Sequence, residues 1–513
     1  MVTYRERIIV GVVILFVIAA ITIPYILAWR SAGVDYRFGG FLLNPQDGNS
    51  YLAKMYQGWQ GDIRFTLPYT AELGNGAYLF LFYLVLGHIA RLSGLSLITT
   101  FHVARGISTL LMLLCLYRYL VYTFEQVRIR LFAFILAAIG SGFGWFAILF
   151  GKFTSDFWVA EAYPFLSAFA NPHFPLALAI VLLLFTFTRY KNSGLPSWLT
   201  PLLSFLLAIV LPFGVVLVLV ILTGLVLWEL FPHYAQIFRS RVFQRLAFIG
   251  LGGIPVLIYD FLVTYTDPLL RVWNSQNQTP SPPLWDVLIS LSPVILLAFI
   301  GIGLSYKSQD RPLRLLIAWA VLGLLLLYVP WGLQRRFMLG FYIPLSALAA
   351  AGLGATVKRP RSYIFTAVLI IMLVIPTNLV IAISSLQAIN THDMRIYLSK
   401  GEADAFDWIG SHTAQDAIIL AAPDTGLYIP AYTGRRVFYG HPYETVDAAF
   451  QKGKVSRFFE GNTVKAEDGN LLAEADYLFF GPREALMGSY MPSQPLELAY
   501  ATQDVRIFQV IDH

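Results

Sequence analysis

The sequence is poor in cysteine and in charge. Its 513 residues include a single cysteine, Cys115, which excludes an intramolecular disulfide, a cysteine-based zinc site and a thiol redox pair. Charged residues make up 13% of the chain, against about 25% in a typical soluble domain. Hydrophobic residues make up 57%, and the mean hydropathy is +0.65. These values exclude a soluble globular enzyme and indicate a membrane protein.

The charges are unevenly distributed along the chain. Residues 1–385 hold 26 Lys and Arg against 13 Asp and Glu, whereas residues 386–513 hold 10 against 17. The basic residues lie at the ends of apolar runs, where they orient a membrane protein rather than bind nucleic acid. The sequence therefore predicts a transmembrane domain over 1–385, a separate domain over 386–513 and no nucleic-acid partner.

Apolar runs of about 20 residues are needed to cross the hydrocarbon core of a bilayer. Such runs occur at 8–29, 99–122, 131–151, 172–189, 246–265, 284–305, 312–330, 337–356 and 362–385. The longer run 198–231 is interrupted by Pro212 and Gly214, which favours two short helices over one long helix. Together these runs predict about eleven membrane crossings.

The run 77–96 is apolar enough to span but contains a glycine, a histidine and an arginine. If it lies against the outer leaflet, the inner loops collect 16 of the 26 basic residues, among them Arg189, Lys191 and Arg239. If the run 77–96 spans the membrane, every later loop changes sides and the excess of basic residues on the inner side is lost. We therefore predict a multi-pass protein of the plasma membrane with a cytoplasmic N-terminus, an extracytoplasmic C-terminal domain and a long first outer loop over 30–98.

The tail alternates helix-like and strand-like stretches. Helical periodicity covers 402–412 and 444–459, and short apolar runs cover 417–422, 435–440, 477–480 and 507–511. This pattern predicts a small α/β domain. The predicted fold class is thus a polytopic α-helical membrane protein with a small extracytoplasmic α/β domain.

Asp47 lies soon after the first apolar run, among the turn-forming residues of 44–51. A carboxylate held there can act as a general base towards a hydroxyl group. The spacing equally permits a helix cap or an Asx turn at the start of a following helix.

Paired arginines, Arg335 and Arg336, lie at the predicted outer end of two spans, next to Trp331 and Phe337. Their planar donors suit a phosphate group, and the aromatic rings suit a lipid chain. The alternatives are anchoring to lipid headgroups or an ion pair with an acidic residue. Arg105 is a second candidate for the same anion, with a buried structural ion pair as the alternative.

The order of features from the first loop onward resembles the GT-C membrane glycosyltransferases. Asp47 is followed by Tyr51, Gly61-Asp62, Pro68, an apolar juxtamembrane helix and a span that opens with Arg105. The family includes the protein mannosyltransferases and the lipid A aminoarabinose transferases. The resemblance implies that Asp47 is the catalytic acid of the first outer loop, and that the donor is a sugar linked to polyprenyl phosphate.

One departure from the family pattern concerns metal binding. Many members carry two acidic residues adjacent or one apart, whereas Asp47 is followed by Gly48 and Asn49. The sequence therefore assigns no certain cofactor and no metal ligands, and it leaves open a divalent cation such as Mg²⁺ or Mn²⁺.

Further residues are candidates for contacts with the substrate. The resemblance implies a supporting acid in the second outer loop, at Asp156 or Glu161, and we place Tyr51 in the same group. His173 can hydrogen-bond a sugar or assist proton transfer, and Gln276 can hydrogen-bond sugar hydroxyls. The alternatives are an exposed loop acid for Asp156 and Glu161, a helix cap for His173 and a solvated loop for Gln276.

The tail segment 432–445 contains Gly440, His441 and Pro442, a sequence that favours a tight turn. The turn either faces the membrane site or belongs to the internal packing of the tail domain.

The predicted function is the transfer of a sugar from a polyprenyl-phosphate-linked donor to a hydroxyl group of a glycan, lipid or protein on the outer face of the membrane. The predicted reaction inverts the anomeric centre, with Asp47 as base. The expected partners are the lipid-linked donor, the acceptor and membrane lipids. The alternatives are a transporter or flippase of lipid-linked sugars and a non-catalytic protein of envelope glycan assembly.

Overall fold

The computed structural model of the chain describes residues 2–187, 198–230, 241–308, 310–461, 471–488 and 496–511. Within these residues the chain is mostly helical. Three basic residues used in the topology prediction, Arg189, Lys191 and Arg239, lie outside the described residues.

The helices up to residue 390 are α1 (Tyr4–Ser31), α2 (Pro45–Gln60), α3 (Leu81–Ser93), α4 (Leu97–Thr123), α5 (Val127–Ile139), α6 (Gly144–Ala147), α7 (Pro164–Ala170), α8 (His173–Phe187), α9 (Leu199–Val210), α10 (Pro212–Leu230), α11 (Arg241–Thr266), α12 (Pro268–Gln276), α13 (Leu284–Ser290), α14 (Val294–Ser305), α15 (Arg311–Leu326), α16 (Tyr342–Thr356), α17 (Pro360–Val374) and α18 (Pro376–Asn390). The tail adds α19 (Lys400–His412), α20 (Pro423–Gly426), α21 (Ile429–Thr433), α22 (Ala448–Phe459) and α23 (Pro482–Met487). The strands are β1 (Tyr36–Phe38), β2 (Tyr397–Ser399), β3 (Ile418–Leu420), β4 (Arg436–Val437), β5 (Tyr477–Phe480), β6 (Leu496–Ala501) and β7 (Arg506–Val510).

Six helical stretches among the described residues are long and apolar enough to cross a membrane. They are Tyr4–Ser31, Leu97–Thr123, Pro212–Glu229, Phe243–Thr266, Gln334–Thr356 and Pro360–Asn390. Two bent helix pairs, α5 with Gly144–Phe150 and α13 with α14, raise the number to eight if each pair is one span. The prediction of a polytopic helical membrane protein is confirmed, and the count of eleven crossings stays a prediction.

Several apolar runs are interrupted rather than continuous. The predicted span 131–151 bends by 44° between α5 and Gly144–Phe150, and the predicted span 284–305 bends by 89° between α13 and α14. Pro293 lies at the second break, where it cannot donate a helical hydrogen bond. The run 198–231 divides into α9 and α10 at Leu211, where the following proline predicted a break.

The predicted interfacial run 77–96 contains α3, a helix of 13 residues. At 1.5 Å per residue such a helix is about 20 Å long, shorter than the hydrocarbon core of about 30 Å. By length alone, α3 cannot span the bilayer.

The chain divides into two compact units. The helical unit comprises Met1–Pro24, His102–Tyr259 and Gln278–Leu386. The mixed unit comprises Tyr25–Phe101, Asp260–Asn277 and Gln387–His513. The tail therefore shares its unit with the whole of the predicted first outer loop, and the division at residue 385 into two domains stays a prediction.

The helical unit contains a buried ion pair among three of its helices. Arg130 of α5 donates to both carboxylate oxygens of Glu6 of α1, and the hydroxyl of Tyr117 of α4 also donates to Glu6. The Arg130 and Glu6 side chains are 4% and 0% exposed. A buried charge is tolerated only beside a partner, so this pair holds α1, α4 and α5 together.

The mixed unit contains a five-stranded sheet of order β4-β3-β5-β7-β6. Strand β3 is parallel to β4 and β5, and β7 is antiparallel to β5 and β6. Four strands overlap the predicted runs, whereas β6 was not predicted. A second, two-stranded sheet pairs β1 of the first loop with β2 of the tail, with Arg37 opposite Leu398.

Helices α2 and α3 pack closely through two glycines. A Cβ atom at Gly58 would lie 2.0 Å from the Leu84 carbonyl oxygen, and one at Gly87 would lie 2.0 Å from the Met55 carbonyl oxygen. Neither position has room for a side chain unless the two helices separate. Gly87 in the run 77–96 thus serves helix packing.

We expect Gly87→Ala to lower the free energy of unfolding by about 1–3 kcal/mol, because the added methyl group forces α2 and α3 apart. Thermal unfolding of the detergent-solubilised protein measures the change. The control is Gly106→Ala in α4, where nothing lies within 4 Å of the added Cβ atom, so stability should be unchanged or slightly increased. Equal melting temperatures for the two variants would contradict the packing role of Gly87.

Candidate active site

Asp47 lies in the first turn of α2, but it is not the capping residue. Asn44 takes the N-cap position with φ 47°, and its side-chain oxygen accepts from the Asp47 backbone N–H at 3.3 Å. Pro45 fills the first helical position, where a missing N–H costs nothing. The alternative interpretation of Asp47 as a helix cap was therefore wrong, because the Asn44 side chain accepts the hydrogen bond that caps α2.

The Asp47 carboxylate has two polar neighbours. Its Oδ2 accepts from the Asn44 side-chain amide at 2.5 Å, and its Oδ1 lies 3.5 Å from Nε2 of His441. The Asp47 side chain is 44% exposed, whereas the His441 side chain is 2% exposed. The carboxylate is therefore contacted by the protein while part of its surface stays accessible.

Tyr51, one turn after Asp47, stacks on Tyr83 of α3 with ring centroids 4.5 Å apart. The Phe101 ring lies 6.4 Å from Tyr51 and is nearly parallel to it. This aromatic stack packs α2 against α3 and α4 and leaves Tyr51 half-buried beside the candidate base.

Lys54 and Glu444 form a buried ion pair that the sequence analysis missed. The Lys54 Nζ atom lies 2.8 Å from Glu444 Oε1, and the two side chains are 1% and 11% exposed. Lys54 also donates to Ser50 Oγ at 2.7 Å and lies 4.5 Å from the centre of the Phe80 ring. The sequence did contain an indication of this ion pair, because Lys54 lies among the apolar positions of the amphipathic helix α2.

Gln276 uses its side-chain amide to bind the backbone of the tail. Its nitrogen donates to the Thr445 carbonyl oxygen, and its oxygen accepts from the Asp447 N–H at 3.1 Å. The next residue, Asn277, donates to the Tyr443 carbonyl oxygen at 3.0 Å. This geometry favours a role for Gln276 in positioning the tail loop over the predicted contact with sugar.

In the helical unit, Arg335 and Arg336 lie in the 3₁₀ turn Gln334–Met338 and share one acid. Arg335 Nε lies 3.3 Å from Glu161 Oε1, and Arg336 Nη1 lies 3.9 Å from the same oxygen. The Arg335 guanidinium also lies 5.1 Å from the centre of the Trp158 ring. The structure thus brings together Arg335, Arg336 and Glu161. The ion pair with an acidic residue, which was the alternative to a phosphate site, is present. Because two cations share one carboxylate, this arginine pair carries one excess positive charge.

Arg105 is 1% exposed and lies among backbone carbonyl groups of the helical unit. Its Nη1 donates to the carbonyl oxygens of Ile21, Ala168 and Phe169 at 2.9 to 3.2 Å, and its Nε donates to His102. These acceptors compensate the buried charge and join α1, α4 and α7. The geometry favours a structural role over the predicted contact with phosphate.

Asp156 is fully buried and accepts several hydrogen bonds. Its donors are the Thr154 hydroxyl at 2.6 Å, the Gly144 N–H at 2.9 Å and the Thr377 hydroxyl at 3.0 Å. Burial raises the pKa of Asp156 above its ordinary value, although these donors lower it. The alternative interpretation as an exposed loop acid was therefore wrong. The carboxylate stabilises the break between α5 and α6 instead.

Asp286 supports the same region and was not predicted as a site residue. It accepts from both the N–H and the hydroxyl of Ser155 at 2.8 Å, and the Ser155 hydroxyl also contacts Ser290.

His173 begins α8 and is buried, while the Asn171 side chain accepts from the Phe174 N–H. The cap of α8 therefore comes from Asn171 rather than from His173.

A metal centre is not built by the part of the chain that the structure describes. No group of three or more His, Cys, Asp or Glu side chains there is placed to hold a metal ion. Asp47 and His441 present only two ligand atoms 3.5 Å apart. Mg²⁺ and Mn²⁺ prefer several oxygen ligands, which this pair does not supply.

No family model matches the sequence, and no curated protein sequence matches it. Solved structures do match the fold. The Archaeoglobus fulgidus oligosaccharyltransferase, in complex with Zn and sulfate, is 15% identical with a TM-score of 0.51, over 90% of this chain and 67% of that chain. The Cupriavidus metallidurans ArnT bound to undecaprenyl phosphate is 14% identical with a TM-score of 0.50, over 96% of this chain and 97% of that chain. The chain therefore shares the fold of these two transferase structures, which agrees with the fold that the resemblance of the first loop implies.

We expect Asp156→Asn to lower the free energy of unfolding by about 1–3 kcal/mol, because an amide group in place of Oδ2 leaves buried donors without an acceptor. Thermal unfolding in detergent tests this. The matched control is Asp35→Asn, at an exposed position of the first loop, which should unfold like the unmodified protein. A stable and inactive Asp156→Asn variant would instead point to a direct role in the reaction.

Proposed function

We propose that this protein is a membrane glycosyltransferase that moves a sugar from a polyprenyl-phosphate carrier to an acceptor hydroxyl group. The fold supports this, since the two solved structures described above belong to transferases of the GT-C class. The ArnT structure binds undecaprenyl phosphate, which is the kind of carrier that the sequence resemblance implies. The acceptor is a glycan, a lipid or a protein.

The observation that carries the proposal is the accessibility of Asp47. A general base must come within hydrogen-bond distance of the hydroxyl group that it deprotonates. Among the acids proposed for the site, Asp47 is 44% exposed, whereas Asp156 and Glu161 are buried and already hydrogen-bonded or paired. Asp47 is therefore the acid that can receive a proton from an incoming acceptor.

The proposed step is a direct displacement. Asp47 takes the proton of the acceptor hydroxyl as the oxygen bonds to the anomeric carbon of the sugar. The bond from that carbon to the phosphate oxygen breaks, and polyprenyl phosphate leaves with the bonding electrons. Attack opposite the leaving group inverts the anomeric centre.

Arg335 and Arg336 are the proposed ligands of the carrier phosphate. Their excess positive charge favours the anion that develops as the sugar leaves. Both side chains keep accessible surface, at 20% and 31%. Trp331 packs on Phe337 beside them, with ring centroids 5.5 Å apart, and offers an apolar surface for the lipid chain.

The location proposed for the reaction is the outer face of the plasma membrane, with the N-terminus in the cytoplasm. The support is the concentration of basic residues in alternate predicted loops. A protein oriented in this way presents Asp47 and the tail outside the cell.

We expect Asp47→Asn to reduce sugar transfer by at least about 100-fold, because the amide cannot accept the proton of the acceptor. The assay is mass spectrometry of envelope glycans and lipid-linked sugars in a strain lacking the gene, complemented with each variant at matched protein levels. The control is Glu72→Gln, an exposed acid of the same loop, which should restore transfer fully. Full restoration by Asp47→Asn would refute the general-base role and favour a transporter or an assembly protein.

We expect Arg336→Gln to weaken binding of undecaprenyl phosphate by about tenfold, the effect of losing one hydrogen bond to a charged group. Native mass spectrometry of the purified protein with undecaprenyl phosphate measures the affinity. Arg271→Gln, an exposed arginine of α12, is the control and should bind normally. Unchanged binding by Arg336→Gln would assign the arginine pair to the Glu161 ion pair alone.

A further inference from the structure

The tail loop 440–445 carries a histidine whose ring orientation is set by its own backbone. The Thr445 hydroxyl accepts from the N–H groups of Gly440 and His441 at 3.3 and 3.2 Å, and the Thr445 N–H donates to the His441 carbonyl oxygen. Gln276 holds the same loop from α12. The loop is therefore a closed turn that presents His441 in one direction.

The hydrogen bonds of His441 select one tautomer of its ring. Nδ1 accepts from the backbone N–H groups of Tyr443 and Glu444 at 3.1 and 3.2 Å. A nitrogen that accepts two N–H groups carries no hydrogen, so the single hydrogen of the neutral imidazole lies on Nε2. The ring is thus a donor at Nε2.

The Nε2 atom faces Asp47. The atom is buried and lies 3.5 Å from Asp47 Oδ1. Among the described residues, it has no hydrogen-bond acceptor. A buried N–H group without an acceptor is costly, so the carboxylate is its natural partner. The distance closes to a hydrogen bond with a shift of about 0.5 Å, since N–H···O bonds extend to about 3.0 Å.

The Lys54 ion pair keeps the loop in this position. Residues 47, 50 and 54 lie on one face of α2, at helical spacings of three and four. Asp47 meets His441, while Ser50 and Lys54 meet Glu444, three residues further along the same loop. Two contacts on one helix face thus set the register of the loop against α2.

We propose that His441 is a positioning residue for Asp47, donating from Nε2 to the carboxylate so that one oxygen stays oriented towards the acceptor hydroxyl. The inference rests on the function proposed above. Asn44 holds the other oxygen from the opposite side. The Asp47 side chain is 44% exposed, so its carboxylate stays accessible to an incoming hydroxyl group.

Other titratable and charged groups face this pair. Tyr83 of α3 interacts electrostatically with Asp47, and the Tyr69 ring lies 5.8 Å from His441. Burial and the charge of Glu444 raise the pKa of Tyr69 well above its ordinary value, so Tyr69 stays neutral near pH 7. Lys54 and Glu444 compensate each other.

The first experiment measures the tautomer without any substrate. The chain has eight histidines, and ¹⁵N-histidine labelling reports the protonation of each ring nitrogen by NMR in detergent or nanodiscs. The signal lost in His441→Asn identifies His441. We expect the neutral Nε2–H tautomer, with an Nε2 resonance that moves in Asp47→Asn. A hydrogen on Nδ1, or an Nε2 resonance unaffected by Asp47→Asn, would overturn the inference.

The second experiment compares two substitutions that imitate the two ring nitrogens. An asparagine amide reaches the position of Nδ1, so His441→Asn keeps the acceptor for the loop and loses the donor to Asp47. A glutamine amide reaches the position of Nε2, so His441→Gln restores that donor. Tyr443→Phe, at an exposed residue of the same loop, is the matched control. The donor substrate is the lipid-linked sugar extracted from the strain lacking the gene.

We expect His441→Asn to lower kcat about tenfold with an unchanged KM for the donor. Losing a donor destabilises the ionised carboxylate, so the acidic limb of the pH profile of kcat should move upward by about one pH unit. His441→Gln should recover most of both effects, and Tyr443→Phe should match the unmodified protein. A purely structural role would lower the melting temperature and the amount of active protein without moving the pH profile.

The outcomes separate this inference from the proposed function. If Asp47→Asn is inactive while His441→Asn keeps normal kcat and a normal pH profile, the role of His441 is wrong and the general base stands. If Asp47→Asn transfers sugar normally, the general-base proposal fails, and the positioning role fails with it.

Discussion

One buried charge of the mixed unit requires the first loop and the tail to meet. Lys54 carries its ammonium group on a side chain that is 1% exposed, and such a charge is stable only beside an opposite charge and hydrogen-bond acceptors. Glu444 and Ser50 supply both. Because Glu444 belongs to the tail and Lys54 to α2 of the first loop, meeting this requirement joins the two segments. The exposed carboxylate of Asp47 then lies next to the closed turn that contains His441.

Buried charges of the helical unit also need polar partners, but there the partners stabilise the helix packing and not a site. Arg105 and Asp156 are surrounded by backbone and hydroxyl partners from several elements of the helical unit. Their hydrogen-bonding capacity is largely used inside the protein, so these charges stabilise breaks and crossings of helices. Asp47 and Arg336 retain accessible surface. Accessibility, more than residue type, distinguishes the charges proposed to meet the substrate from those that hold the fold.

The candidate site was partly predictable from the sequence. Asp47 stands out as an acid among turn-forming residues after the first apolar run, and Arg335 and Arg336 stand out as paired cations on the predicted outer side, where basic residues are fewer. The pairing of both arginines with Glu161 was not predictable, since the acid lies more than 170 positions away. The cap of α2 is Asn44 rather than the alternative Asp47, and residue type could not separate the two because both asparagine and aspartate are favoured at N-caps. The sequence around His441 predicted a tight turn, but it did not indicate a contact between His441 and Asp47.

The sequence by itself determined the properties that depend on neighbours along the chain. Membrane insertion requires apolar runs of a given length, and strands and helices require short-range periodicity, so the polytopic class and four strands of the tail sheet were predictable. Tertiary structure decided which distant groups meet. Lys54 and Glu444 are 390 positions apart, and their contact follows from the packing of α2, the tail loop and the sheet as one unit. The bends of 44° and 89° in two apolar runs were decided in the same way. Hydropathy measures whether a segment prefers lipid, whereas its path depends on the partners that satisfy its broken backbone.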